Sequence, residues 1–227
     1  MTFQAAESLS EQIAQHLGQR IVTRDLAPGS RIQELKVSGD LNVSRGSVRE
    51  ALLILERRHL VEIFPRKGAV VSSLTVASVN SLYDIYIDLL CMLGRKVIER
   101  RTNDELSGVV GHVREVEAVI QAVTSPGPDA AEKVMDAGFG VMRYAYRLVD
   151  NPFLEQTLEN FRPAISRTYF VALDNFREGI GQTAVFFSRL GEAARSGDAD
   201  RLQSAIKAFG EHQRQQVLNT LRAEERQ

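Results

Sequence analysis

One cysteine and no tryptophan occur among the 227 residues of this chain. A single cysteine cannot form an intramolecular disulfide, and it excludes a metal site built from thiolates alone. That residue, Cys91, lies in the apolar stretch LLCML, which is typical of a small buried side chain rather than a reactive thiol.

The sequence also lacks long hydrophobic runs and a secretion signal. No uninterrupted apolar stretch approaches the roughly 20 residues that a membrane helix needs. The N-terminal residues MTFQAAESLSEQ do not have the basic and then apolar pattern of a signal peptide. The sequence therefore predicts a cytoplasmic protein that has no membrane partner.

Net charge is nearly absent, because 28 Lys and Arg oppose 29 Asp and Glu. This balance excludes a protein that coats nucleic acid through its overall charge. The charges are unevenly placed, since residues 1–72 carry 10 basic and 8 acidic side chains and residues 73–227 carry 18 and 21. The asymmetry favours two parts with different functions.

The first 72 residues have the pattern of three helices followed by a hairpin. Ser8 with Glu11 predicts a capping box, and apolar residues at helical spacing follow it. Pro28 and Gly29 then predict a tight turn. Further helices are predicted over 33–39 and 44–58, and β-rich runs at 61–64 and 69–71 flank a Pro/Gly loop. This order is typical of a winged helix-turn-helix.

The rest of the chain shows helical periodicity and no convincing alternating strand. The predicted helices run roughly over 75–101, 103–123, 130–149, 151–170, 174–196 and 199–223. We therefore predict a mainly α protein with two domains. These are a winged helix-turn-helix at 8–72, with a small β-hairpin wing, and an all-α helical bundle at 75–223.

Arg45 and Arg49 lie one helical turn apart, and like charges at this spacing repel each other. No acidic residue three or four positions away in the same helix neutralises them. Double-stranded DNA would resolve the conflict, because arginine binds guanine bidentately and clamps phosphates. Arg66 and Lys67 at the hairpin tip add two cations to this candidate surface. The alternative is that all four are solvated surface side chains.

Five motifs in the first domain carry a resemblance to a known family. They are LAPGSRI at 26–32, VSR at 43–45, VREAL at 48–52, LE at 55–56 and PRKGAVV at 65–71. Residues 8–72 thereby resemble the winged-helix domain of the GntR family of bacterial transcription regulators. The helical remainder resembles the FCD effector domain of the FadR subfamily. The resemblance implies a homodimer that binds a near-palindromic DNA operator and responds to a small-molecule effector.

The resemblance also implies roles for individual residues of the first domain. Arg45 and Arg49 would contact bases or phosphates, Ser44 and Ser47 the DNA backbone, and the wing at Arg66, Lys67 and Gly68 the minor groove. Two positions depart from the family pattern. Gly46 stands where a side chain commonly contacts DNA, and Leu35 stands where the family has a basic residue, so Lys36 is the candidate substitute.

FCD domains usually hold a divalent metal through Asp-x-x-x-His on one helix and a histidine on each of two later helices. Asp136 matches the first position, but Gly140, Phe187 and Phe209 stand at the three histidine positions. His212 becomes available only if the last helix slips by one turn, and two protein ligands are too few for a tight site. We therefore predict no metal and no cofactor.

The loss of these ligands predicts an apolar, aromatic cavity that suits an effector with a hydrophobic body. Arg143 is predicted to lie on the same helix face as Asp136 and Gly140, and it is a candidate for binding an acidic head group. The candidate effector-binding residues are Tyr86, Leu90, Asp136, Gly140, Arg143, Phe187 and Phe209. The alternative is that the phenylalanines fill the core and close the cavity.

Two other functions stay open at this point. The chain could be a constitutive dimeric DNA-binding protein whose effector pocket has decayed. An all-α enzyme is a weaker alternative, because the HExxH, GxSxG, P-loop and Rossmann glycine motifs are absent from the sequence.

Overall fold

The structure is a computed structural model that describes residues 8–99, 102–125, 127–171 and 176–224. Its elements in chain order are α1 Leu9–Val22, β1 Arg31–Ile32, α2 Glu34–Leu41, α3 Arg45–Arg57, β2 Val61–Phe64, β3 Gly68–Val71, α4 Val76–Glu99, α5 Asn103–Gln121, α6 Pro128–Val149, α7 Pro152–Val171, α8 Phe176–Ser196 and α9 Ala199–Glu224. The chain divides into two compact units, Met1–Leu74 with Asn160–Arg167, and Thr75–Glu159 with Thr168–Gln227. The mainly α fold with a small N-terminal sheet is thereby confirmed, whereas the boundaries 8–72 and 75–223 stay a prediction.

Helix α1 begins at the predicted cap, but the predicted capping box forms only in part. The Ser8 hydroxyl accepts a hydrogen bond from the Glu11 backbone NH at 3.2 Å. The Glu11 carboxylate does not complete the box, because it forms an ion pair with Arg58 at the end of α3 instead. One side chain therefore ties the first helix of this unit to the third.

The segment after α1 contains the predicted tight turn and a strand that the sequence analysis missed. The Ser30 NH donates to the Ala27 carbonyl at 3.0 Å, and Gly29 has a φ of 76°, which favours glycine. Residues Arg31–Ile32 then form β1, which pairs antiparallel with β3. The expected two-stranded hairpin is thus a three-stranded sheet in the order β1-β3-β2. A two-residue strand is too short to show an alternating pattern in the sequence.

Helix α2 is longer than predicted, because Gly39 does not end it. The helix continues to Leu41, and Asn42 closes it in the left-handed conformation with a φ of 51°. Asparagine tolerates this conformation because its short side chain hydrogen-bonds locally. The Ser38 hydroxyl also donates to the Val43 carbonyl at 2.6 Å, which fixes the turn into α3. This turn sets the angle between α2 and α3.

In the second unit, α4 and α9 pack closely through two glycines. A Cβ added at Gly94 would lie 2.7 Å from Leu202 of α9. A Cβ added at Gly210 would lie 2.5 Å from Ile87 of α4. Each helix therefore inserts a branched side chain where the other has none, which allows the two backbones to approach each other.

By length and composition alone, α4 could also cross a membrane, since its most apolar window has a mean hydropathy of 1.3. It is the one such helix among the residues that the structure describes. Val79, Tyr83 and Val97 on one face are buried within the unit, whereas Asp84 and Asp88 are exposed. This distribution is typical of an amphipathic helix that packs one face against a bundle. The two aspartates also interrupt the apolar sequence, so α4 contains no long uninterrupted run.

Candidate nucleic-acid interface

The N-terminal end of α3 presents two serines and two arginines. Ser44 caps the helix by accepting from the Ser47 NH at 3.0 Å, and the two hydroxyl oxygens lie 2.9 Å apart. The side chains of Arg45 and Arg49 are 60% and 64% exposed on neighbouring turns. Gly46 between them is exposed as well. Free NH groups, hydroxyls and guanidinium groups at one helix end form a surface that suits phosphates and base edges.

The two arginines share an acidic partner that the sequence analysis missed. Arg49 donates from Nε and Nη2 to the two carboxylate oxygens of Glu34, at 3.3 and 2.9 Å. Arg45 Nη2 lies 3.6 Å from Glu34 Oε2. A carboxylate within the chain therefore already offsets part of the repulsion between the two arginines. Glu34 is the first residue of α2, so it is not among the neighbours of the two arginines within α3.

The geometry of this cluster also sets its electrostatics. The hydrogen bond from Arg49 and the nearby charge of Arg45 hold the pKa of Glu34 below its usual 4.5, although partial burial acts in the opposite direction. Glu34 in turn raises the pKa of Arg49. At neutral pH one carboxylate therefore sits between two guanidinium groups and leaves a net positive charge.

The remaining candidate contacts lie on α2 and on the wing. Lys36 is exposed on α2, and Leu35 beside it is 70% exposed. Arg66 and Lys67 are exposed between β2 and β3, where Arg66 and Gly68 have φ values of 68° and 78°. The wing therefore turns tightly and projects both cations into solvent, as the sequence analysis predicts.

The candidate effector residues of the second unit are not all directed to its interior. Tyr86 and Phe187 are buried, Leu90, Gly140 and Phe209 are half-buried, and Asp136 and Arg143 are exposed. Arg143 lies exposed at the surface of this unit, and its role in binding an acidic head group stays a prediction. Tyr86 instead donates from Oη to the Met142 sulfur at 3.5 Å.

The aromatic residues in α8 and α9 form a packed cluster. Phe186 stacks on Phe209 with ring centroids 4.2 Å apart and meets the edge of Phe187 at 4.9 Å. Phe187 also approaches α6, where a Cβ added at Gly138 would lie 3.2 Å from its ring. Phe186 was not among the predicted residues. Its contacts show that the three rings fill space with one another.

A separate cleft of about 600 Å³ lies where α8 turns into α9. Arg189, Glu192, Asp198, Arg201 and Ser204 are among the residues that line it. None of the predicted effector-binding residues contributes to this lining. The cleft is therefore a different feature from the aromatic cluster.

The residues present do not fit the metal that FCD domains usually hold. Asp136 is exposed, and no side chain at Gly140 reaches toward it. Phe187 and Phe209 occupy the next two ligand positions. His212 is half-buried, and within the described ranges no three His, Cys, Asp or Glu side chains lie close enough to share an ion. The absence of a metal and of a cofactor stays a prediction.

Family profiles match both parts of the chain. Residues 9–71 match the bacterial regulatory proteins of the gntR family, and residues 81–212 match the FCD domain. The chain belongs to the GntR family. GntR-family regulators bind DNA, and FCD domains bind small-molecule effectors, so this chain is a DNA-binding transcription regulator with an effector domain.

Individual relatives agree with this assignment. The transcriptional repressor RspR of Escherichia coli is 24% identical over 173 residues, which span 74% of this chain and 72% of RspR. The gluconate operon repressor of Bacillus subtilis is 26% identical over 70% of this chain and 62% of its own length. The regulator YdhC of Bacillus subtilis is 31% identical, over about half of each chain. These relatives are transcription regulators and not enzymes.

Solved structures of the same family share the fold. McbR/YncC of Escherichia coli superposes with a TM-score of 0.69 over 90% of this chain and 94% of its own, at 18% identity. A GntR transcriptional regulator from Rhodococcus sp. RHA1 gives a TM-score of 0.67 over 92% and 97% of the two chains, at 19% identity. At these identities the likeness shows the fold alone.

Proposed function

We propose that this GntR-family regulator is a cytoplasmic repressor without enzymatic activity that binds a near-palindromic operator as a homodimer. The single observation that carries the proposal is the exposed pair Arg45 and Arg49 at the Ser44-capped start of α3. In a helix-turn-helix protein the N-terminal residues of this helix reach the base edges in the major groove. The family membership stated above supports the same assignment.

Each candidate side chain has a contact that its chemistry supports. Arg49 and Arg45 offer guanidinium donors to guanine or phosphate, and Ser44 and Ser47 offer hydroxyls to phosphate. Arg66 and Lys67 on the wing, with Gly68, would follow the backbone into the minor groove. Lys36 on α2 and the exposed backbone at Gly46 complete the proposed surface. Because Gly46 has no side chain, base selection depends on the arginines and the wing.

An apolar stripe on α4 supports the homodimer. Ile85 and Met92 are 53% and 39% exposed, and Leu82 and Leu89 on the same side are half-buried. Exposed apolar side chains at helical spacing are typical of a surface that another protein covers. A second copy of this chain would place two α3 helices on two half-sites, as a near-palindromic operator requires.

The effector is proposed to be a small organic molecule with a hydrophobic body, bound near Tyr86, Leu90 and the phenylalanines of α8 and α9. The packing of Phe186 on Phe209 favours a second candidate, a constitutive regulator whose pocket is filled. A thermal-shift screen with fatty, aromatic and other organic acids separates the two. A ligand that binds the folded state raises the midpoint, and no rise with any acid favours the constitutive regulator.

Arg49→Ala tests the proposed interface. The variant should lose about 1–3 kcal/mol of affinity for an operator duplex and should discriminate less at one base pair, because one bidentate contact is lost. Fluorescence anisotropy against that duplex and its single-base variants measures both effects. The matched control is Arg57→Ala, which removes an exposed charge from the last turn of the same helix.

The control should keep the base preference of the wild type. If Arg49→Ala keeps it as well, Arg49 does not have the proposed role. If the wild-type protein forms no salt-sensitive complex with any duplex, the proposed function itself fails, since phosphate contacts make binding fall with salt.

A further inference from the structure

We propose that Glu34 is a positioning residue of the DNA interface, which orients Arg49 for base recognition and lowers affinity for non-specific DNA. This inference rests on the proposed function of Arg45 and Arg49. It concerns the ionic cluster that α2 and α3 form together, and no DNA contact of Glu34 itself is needed.

The hydrogen bonds occupy only one edge of the Arg49 guanidinium. Glu34 accepts from Nε and Nη2, at 3.3 and 2.9 Å. A guanidinium carries five N–H donors, so the bonds of Nη1 and the second N–H of Nη2 stay available. These donors form the other edge, and paired donors of this kind match N7 and O6 of guanine. Glu34 therefore fixes the plane of Arg49 without using the donors that would contact a base.

Glu34 itself is held more firmly than a typical surface carboxylate. It is 25% exposed, whereas the two arginines are 60% and 64% exposed. It occupies the first turn of α2, where the helix dipole stabilises a negative charge. Its charge therefore lies at the favourable end of α2, and Arg49 is ordered against it by two hydrogen bonds.

An ordered arginine loses less side-chain entropy on binding than a free one. That gain appears at any site where the base acceptors match the fixed geometry. The carboxylate opposes the phosphates at every site, so at a mismatched site it offsets part of the attraction by Arg45 and Arg49 without the compensating gain. Glu34 should therefore increase the ratio of specific to non-specific affinity.

The test uses Glu34→Gln, which keeps the size of the side chain and removes its charge. The probes are a duplex selected by the wild-type protein from a randomised pool, its single-base variants, and a scrambled duplex. The matched control is Glu62→Gln, an identical change at an exposed position on β2 for which the described residues provide no ion pair. Circular dichroism and thermal midpoints show that both variants fold.

We expect Glu34→Gln to bind the scrambled duplex more tightly and to lose about 5- to 10-fold of its preference at the base pair that Arg49 recognises. Glu62→Gln should bind both duplexes slightly more tightly and keep its preference. In an Arg49→Ala background, Glu34→Gln should cause no further loss of preference at that base pair.

Equal preference in Glu34→Gln and Glu62→Gln would overturn the inference, because Glu34 would then act only through its charge. A further loss of preference in the Arg49→Ala background would overturn it too, since Glu34 would then act through another residue. Both outcomes differ from a failure of the proposed function, in which the wild-type protein selects no duplex from the pool.

Discussion

A buried pair of hydroxyls shows how single residues stabilise the second unit. Tyr83 Oη and Thr168 Oγ1 lie 2.8 Å apart, and the two residues are 2% and 0% exposed. Burial raises the pKa of Tyr83 to about 12, because the phenolate would lose its hydration. The hydrogen bond to Thr168 and the charge of Arg214 act in the opposite direction but do not cancel it.

Tyr83→Phe should change the pH dependence of stability. A pKa raised in the folded state means that stability is fully present below the unfolded pKa of 10 and is lost as the pH rises toward 12. Near neutral pH the variant should be about 1 kcal/mol less stable, since it lacks the hydroxyl pair. Above pH 10 the wild type should lose up to about 1.4 kcal/mol per pH unit relative to the variant.

Urea unfolding at a series of alkaline pH values measures both free energies. The pKa of half-buried Tyr169 is also raised, first by desolvation and then by the charges of Tyr83 and Tyr86, so the difference between the two proteins reports Tyr83 together with its effect on Tyr169. If the free energies of unfolding of the two proteins change in parallel with pH across this range, folding does not raise the pKa of Tyr83.

Between helices, the contact of α4 with α9 depends on the glycines that face Ile87 and Leu202. Helical propensity alone favours Gly→Ala by about 1 kcal/mol. At Gly210, however, the added Cβ would lie only 2.5 Å from Cγ1 of Ile87, so the gain in helix propensity is opposed by a steric clash. Overpacking of this kind costs about 1–3 kcal/mol, so packing outweighs propensity.

Gly210→Ala should therefore lower the free energy of unfolding, by up to about 2 kcal/mol after the propensity gain is subtracted. The control is Gly111→Ala in α5, where an added Cβ meets nothing within 4 Å and propensity alone acts. That control should be more stable than the wild type. Chemical unfolding of both variants provides the comparison, and a stabilised Gly210→Ala would mean that α9 shifts to accept the methyl group.

At the scale of the whole molecule, dimer formation would determine whether two α3 helices bind DNA together. Ile85→Asp places a charge in the apolar stripe of α4, next to Asp84 and Asp88. Burial of an isoleucine side chain stabilises by about 1.5–3 kcal/mol, so the dissociation constant of the dimer should rise at least about tenfold in the variant. Sedimentation equilibrium measures the oligomeric state, and operator affinity should fall with it.

Val185→Asp is the matched control for this experiment, because Val185 is an apolar residue on α8 that is 45% exposed. It should leave the oligomeric state unchanged. If Ile85→Asp stays as oligomeric as the wild type, the stripe on α4 is not the interface between copies.

Much of the fold was predictable because the signals that set it are local. Ser44 caps α3 and Gly29 closes a tight turn wherever the rest of the chain lies, since the responsible atoms are within four residues. The end of α2 was predicted two residues early, because Gly39 and Asn42 are both residues that can end a helix. In the second unit, the periodic pattern around Asp136 predicted helix α6 correctly. It did not predict which face of that helix is buried, because Asp136 and Arg143 are exposed.

The sequence by itself determined the helical bundle, the winged helix-turn-helix and the cationic start of α3, because periodicity, caps and turn residues act over short distances. Only the tertiary structure decided that Glu34 meets Arg49 across 15 residues and that β1 adds a third strand to the wing. Such pairings depend on how the turn between α2 and α3 and the sheet bring distant segments together. No local pattern specifies that geometry.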